Sequence, residues 1–112
     1  EIRLSADQSL MTQLLLNLVG NGIKYGKKGG TVAVSALEQD GHILLTIQDD
    51  GIGIGEKDLP RIFDRFYRAD QARDRSGSGL GLSIVKWIVE LHGLEIQVES
   101  ERGKGTRFTI QI

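Results

Sequence analysis

His42-Ile43-Leu44-Leu45-Thr46-Ile47-Gln48-Asp49-Asp50-Gly51 is the stretch on which the reading of this chain turns. Side chains alternate between faces along a strand, so Ile43, Leu45 and Ile47 share one face and Thr46 and Gln48 the other. The same alternation places Val32, Val34 and Ala36 together, then Leu94, Ile96 and Val98, then Phe108, Ile110 and Ile112. Their alternates Glu95, Gln97, Arg107, Thr109 and Gln111 are polar. One apolar and one wetter face means that helices cover a single side. The pattern predicts an α/β (α+β) two-layer sandwich, its mixed, mostly antiparallel sheet of about five strands carrying helices on one face. The pattern argues against a doubly wound parallel sheet, whose strands would be apolar on both faces.

Continued past Ile47, the alternation turns Asp49 to the apolar side and Asp50 away. Thr106, in phase with Phe108, Ile110 and Ile112, also points inward. An inward carboxylate without a partner is costly, so Asp49 needs a donor, from the protein or from a ligand. Capping the turn at Gly51 or pairing with an arginine meets that need equally well.

Outward from this stretch, Asp40-Gly41 predicts a tight hairpin turn between Thr31–Gln39 and His42–Asp49. A first helix is expected over Gln8–Tyr25, capped by Asp7 and ended by Gly26, with Leu10, Leu14, Leu15, Leu18 and Ile23 at helical spacing. A short helix is expected within Glu56–Phe66, and a mobile loop over Tyr67–Ser78, which has no apolar period. Gly79–His92 reads as a helix packed on most sides, since only Ser83, Lys86 and Glu90 interrupt its apolar surface. Trp87 and Tyr25 read as packing residues. A last hairpin joins Leu94–Ser100 to Thr106–Ile112.

The length of 112 residues suits one domain, here residues 1–112, with a core that holds without staples. Zero cysteines exclude disulfides and thiolate metal sites. Fourteen basic residues against fifteen acidic give a net charge of -1, which supplies no bulk field for nucleic acid or an anionic membrane. There is neither a run of ~18 apolar residues nor a signal-peptide pattern, so a cytoplasmic domain is expected.

Glycine, at 15 of 112, is in excess. Eight of these fall in three clusters: Gly51-Ile52-Gly53-Ile54-Gly55, Gly77-Ser78-Gly79-Leu80-Gly81 and Gly103-Lys104-Gly105-Thr106. Turns want glycine, and so do loops whose N–H groups wrap a ligand. The second cluster runs into a helix start, where free N–H groups suit phosphate. The GxxxxGK[ST] and GxGxxG signatures are absent, so another kind of cradle is required. On the first helix Asn17, Asn21 and Lys24 share a face. That face is either solvated, or offers amide oxygens to Mg²⁺ and a cation to phosphates. His42, at a hairpin turn, and His92, near a helix end, read as structural or exposed.

Five segments in order resemble the N, G1, F, G2 and G3 boxes of the catalytic ATP-binding domain of sensor histidine kinases, which has the Bergerat-type fold. They are Asn17-Leu18-Val19-Gly20-Asn21-Gly22-Ile23-Lys24-Tyr25, Asp49-Asp50-Gly51-Ile52-Gly53-Ile54, Ile62-Phe63-Asp64-Arg65-Phe66-Tyr67-Arg68, Gly77-Ser78-Gly79-Leu80-Gly81-Leu82-Ser83-Ile84-Val85 and Gly103-Lys104-Gly105-Thr106.

The resemblance implies that Asp49 accepts a hydrogen bond from the adenine amine, with help from water and Thr106, and that Gly51, Gly53 and Ile54 shape the adenine pocket. It implies Mg²⁺ on Asn21 with Asn17 close by, and Lys24, Tyr25 and Tyr67 lining the nucleotide. Phe63 and Phe66 would anchor a lid, Arg65 would reach the γ-phosphate, and Gly77, Ser78, Gly79, Leu80, Gly81 and Leu82 would hold phosphates. Two residues depart from the family pattern: Asp50 stands where an Asn is usual, and Gly22 where a small residue with a side chain is.

Related ATPases carry a water-activating Glu one turn before the Mg²⁺-binding Asn. Here that position is Asn17, which cannot serve as a general base, and this favours transfer over hydrolysis. The implied activity is transfer of the γ-phosphoryl group of Mg-ATP to a histidine on a separate phosphoacceptor and dimerisation domain, with a response regulator downstream. The chain would be the cytoplasmic catalytic piece of a membrane-bound sensor kinase, monomeric alone and dimeric in its parent. The rivals are an ATP-binding regulatory module without kinase activity and a serine-directed kinase of the same fold.

Overall fold

A computed structural model describes residues 8–24, 26, 29–64 and 81–112. In chain order the elements are α1 (Gln8–Lys24), β1 (Val32–Gln39), β2 (His42–Asp49), a 3₁₀ turn (Leu59–Arg61), α2 (Gly81–Leu91), β3 (Glu95–Glu101) and β4 (Gly105–Gln111). The strands form an antiparallel sheet in the order β1-β2-β4-β3. The two-layer α+β architecture stands, with four strands among the described residues instead of about five, and no parallel pair. The hairpin between β1 and β2 turns as expected: Asp40 and Gly41 both have positive φ, 53° and 80°, which matches the right-handed twist of the strands.

Strand register turns the alternation into rows across the inner face. Leu45 pairs with Ile110, which pairs with Ile96; Ile47 pairs with Phe108, which pairs with Val98. These rows meet Leu14 and Leu18 from α1 and Val85, Ile88 and Val89 from α2, all of them at 1% exposure or less. Phe63, beyond the 3₁₀ turn, meets the Phe108 ring in a T-shaped contact with centroids 6.3 Å apart, and Lys86 Nζ lies over the Phe63 ring, 5.7 Å from its centroid. This is the arrangement aromatic quadrupoles favour.

Several expectations are corrected. Val34 and Ala36 are exposed although in phase with the core: among the described residues β1 has β2 as its one strand neighbour, and of its inner face only Val32 packs against the core. Ile23 is also exposed, as it lies off the buried Leu14–Leu18 stripe. Helix α2 is not packed on most sides. Trp87 and Leu91 are 55% and 58% exposed, one turn apart on the face away from Val85, Ile88 and Val89, so Trp87 is not a core residue. The expected short helix is a single 3₁₀ turn, with Pro60 near its start. Tyr25 and the expected mobile loop lie outside the described residues. Among those described, no helix is long and apolar enough to cross a membrane.

Candidate nucleotide site

The row next to Val34-Ile47-Phe108-Val98 changes character. Val32 pairs with Asp49, Asp49 with Thr106, and Thr106 with Ser100. The apolar face therefore ends in three adjacent polar side chains on β2, β4 and β3. Thr106 is 6% exposed; Asp49 and Ser100 are half-buried.

Asp49 is held from its own loop: the Gly51 N–H donates to Asp49 Oδ1 at 2.9 Å. The turn-capping partner weighed on sequence grounds is thus present, yet a carboxylate can accept about four hydrogen bonds and retains capacity for a ligand. Burial pushes the Asp49 carboxyl above the ordinary aspartate range; the Gly51 and Thr106 backbone N–H groups pull it back, and neighbouring Asp50 raises it again. Asp50 faces the other way, and its Oδ1 accepts the Thr31 N–H at 2.9 Å, tying the entry of β1 to the exit of β2.

Two glycines let backbones approach here more closely than any side chain would allow. A Cβ on Gly53 (φ 74°) would run into the Glu101 carbonyl oxygen, and one on Gly105 (φ 115°) into that of Asp49. The Gly51–Gly55 loop is consequently stitched to the β3–β4 turn. Gly103 N–H donates to the Ile52 carbonyl at 2.8 Å, and Ile54 N–H to Ser100 Oγ at 2.7 Å. Ile54 itself packs on the edge of the core.

Helix α1 passes over this corner. Gly22 is buried against it, and a Cβ there would lie 3.1 Å from Val32 Cγ2 and 3.6 Å from Asp49 Cβ. Asn21, its neighbour, and Asn17, one turn earlier, are half-buried, whereas Lys24 is exposed in the last turn. Asn17 Nδ2 is buried with no hydrogen-bond partner, the only such side-chain atom among the described residues. An unpaired buried amide costs about 1–3 kcal/mol, so a ligand that engages it would recover that penalty.

Gly81 opens α2 and is exposed, and Leu82 packs on the core. Arg65, Tyr25, Tyr67, Gly77, Ser78, Gly79 and Leu80 lie outside the described residues, as does Phe66. Of the two histidines, His42 is exposed at the hairpin, and His92 bonds through Nδ1 to the Ile88 carbonyl at 2.8 Å. Sequence reasoning missed Ser100. The available signal was its phase, because Leu94, Ile96 and Val98 lead to Ser100 as Ile43, Leu45 and Ile47 lead to Asp49.

Residues 6–112 match the family described as histidine kinase-, DNA gyrase B-, and HSP90-like ATPases, and the chain belongs to that family. Within it, the likeness is to the sensor histidine kinases. The chain is 47% identical over 108 residues to the sensor histidine kinase YkoH and 40% identical over 116 residues to WalK, both of Bacillus subtilis. It is 46% identical over 110 residues to the sensor protein SrrB of Staphylococcus aureus. These alignments cover 95–100% of this chain but only 19–23% of those proteins.

Among solved structures, the mycobacterial sensor histidine kinase MprB superposes with a TM-score of 0.86 at 36% identity, over 96% of this chain and 74% of that one. Full-length ShkA, crystallised in complex with AMPPNP, superposes with a TM-score of 0.82 at 33% identity, over 95% of this chain and 22% of that one.

Proposed function

We propose that residues 1–112 form one domain of a longer sensor kinase, binding Mg-ATP and passing its γ-phosphoryl group to a histidine on a separate phosphoacceptor and dimerisation domain. The observation that carries this reading is the polar end of the inner sheet face. There Asp49 and Thr106 stand paired in register, closed in by Gly53 and Gly105, beneath a helix whose Gly22 packs on Val32 and Asp49 and which also carries Asn17 and Asn21.

Asp49 supplies an anionic acceptor and Thr106 a second oxygen, which together suit the exocyclic amine of adenine, directly or through water. Asn17 and Asn21 carry hard amide oxygens, the donor type Mg²⁺ takes, and the unpartnered Asn17 amide fits a polar occupant. When bound, Mg²⁺ would neutralise phosphate charge.

This chain's own work is positioning. Asn17 cannot take a proton from water, which disfavours hydrolysis, and a neutral imidazole presented by another domain needs little help as a nucleophile. Lys24 and Arg65 would offset the charge on the phosphoryl group in transit. The isolated domain would be monomeric and its parent a dimeric, membrane-bound sensor with this domain in the cytoplasm and a response regulator downstream.

Labelled ATP tests the proposal. The chain alone, incubated with Mg-ATP, is expected to bind nucleotide in a titration and to acquire no stable label. Adding a histidine-bearing phosphoacceptor domain should yield an acid-labile phosphate on that domain. Stable label on this chain, or no nucleotide binding, would overturn it.

A further inference from the structure

We infer that Ser100 is a positioning residue: it fixes the direction of the Thr106 hydroxyl proton and so sets the pocket's preference for 6-amino over 6-oxo purines. This rests on the nucleotide site proposed above.

Ser100 Oγ has one proton and two lone pairs. It accepts the Ile54 N–H at 2.7 Å and donates to the Gly105 carbonyl oxygen at 2.8 Å, a partner that can only accept. Thr106 Oγ1 is also 2.8 Å away, and what Ser100 has left for it is a lone pair. The Thr106 hydroxyl therefore donates to Ser100, and it turns only lone pairs toward Asp49, its register partner on the other side. With Asp49 ionised, this wall of the pocket offers acceptors alone.

A group that donates and does not accept, the 6-amino group of adenine, fits such a wall. The 6-oxo group of hypoxanthine or guanine would meet it lone pair to lone pair. A site with fixed hydrogen-bond polarity rejects the wrong partner far better than one whose hydroxyl can rotate. Were Ser100 Oγ removed, the Thr106 proton could swing toward the pocket and donate to a 6-oxo group.

The test is titration of the 112-residue chain with AMPPNP and with inosine triphosphate, reading the ratio of the two affinities. Ser100→Ala also frees the Ile54 N–H and so weakens both ligands, but the ratio isolates the Thr106 proton. It is expected to fall by about tenfold, the size of one good hydrogen bond. Ser100→Thr, which keeps the oxygen, should restore it. In a Thr106→Val background, with no hydroxyl to orient, Ser100→Ala should leave the ratio where Val alone puts it. Ser100→Cys, nearly isosteric and a weak hydrogen-bond former, is read alongside in case the alanine variant does not fold, and should lower the ratio by less.

An unchanged ratio in a folded Ser100→Ala or Ser100→Cys protein would overturn the assignment while leaving the nucleotide site standing. Wild-type protein that binds neither nucleotide would overturn the site itself.

Discussion

Gly105 and Asp49 touch backbone to backbone. Gly105 has a φ of 115°, and a Cβ placed there would collide with the Asp49 carbonyl oxygen. The contact sets how closely the start of β4 packs against the end of β2, and hence where the Asp49 carboxylate and the Thr106 hydroxyl stand relative to one another.

Gly105→Ala is therefore expected to be costly twice over. Alanine is strained at that φ, and its methyl must force the two strands apart. A loss of about 2–3 kcal/mol in urea denaturation is expected, together with a larger loss of nucleotide affinity than stability alone explains. Gly103→Ala serves as the control. It shares a positive φ (84°), but nothing lies within 4 Å of the added methyl, so it should cost stability while leaving binding by the folded protein largely intact.

Asp49→Asn separates charge from shape. Most of the ATP affinity should disappear in a titration, because the anionic acceptor is gone, while the circular dichroism spectrum stays that of the folded chain. The pH dependence follows from the raised pKa of the folded carboxyl, whose main cause is burial. Between the unfolded value and the higher folded one, the native state holds more protons. Stability contributed by this group is full below the unfolded pKa and is lost as pH rises through the folded pKa. Wild-type stability relative to Asp49→Asn should accordingly decline from acid toward neutral pH, whereas nucleotide affinity should improve over the same range as the carboxylate ionises.

The inner rows of the sheet and the inward turn of Asp49 and Thr106 were legible because strand alternation has a strict period of two, so phase carries past the last apolar residue. The failures share a physical cause. Alternation says which face a residue is on but not how far the helical layer extends, so it groups Val34 and Ala36 with a core that stops at Val32. The exposure of Trp87 and Ile23 escapes a reading of the sequence in the same way, since apolar character does not reveal which side of a helix finds a partner. Ser100 escaped notice because its role depends on three hydrogen bonds to Ile54, Gly105 and Thr106, and the Ile54 bond joins residues 46 apart in the chain.

Asn17 should show stability and function pulling in opposite directions. Its buried Nδ2 has no partner, and asparagine is a poor residue for mid-helix. Asn17→Leu removes the unpaired amide and improves helix propensity, so a gain of about 1 kcal/mol or more is expected in denaturant melts. The same variant should transfer little or no label to a phosphoacceptor domain. A Leu variant that is both less stable and fully active would mean that the amide serves packing alone.

Helix α1 holds two glycines whose substitution should have unlike effects. Gly20 is exposed, with nothing within 4 Å of an added Cβ, so Gly20→Ala should return the ordinary helix gain of about 0.5–1 kcal/mol. At Gly22 the same methyl would lie 3.1 Å from Val32 Cγ2 and 3.3 Å from Val32 Cγ1. Valine has few rotamers with which to yield, so either its side chain moves or α1 lifts from the sheet. Val32 is only half-buried, which lets it give by a few tenths of an ångström, at a cost that cancels most of the helix gain. Gly22→Ala should thus be nearly neutral in stability. Because the methyl also approaches Asp49 Cβ at 3.6 Å, any lifting of α1 would appear as weaker nucleotide binding. Urea midpoints and titrations on the two single variants separate these effects, and a Gly22→Ala gain equal to that of Gly20→Ala would show that Val32 does not crowd the helix.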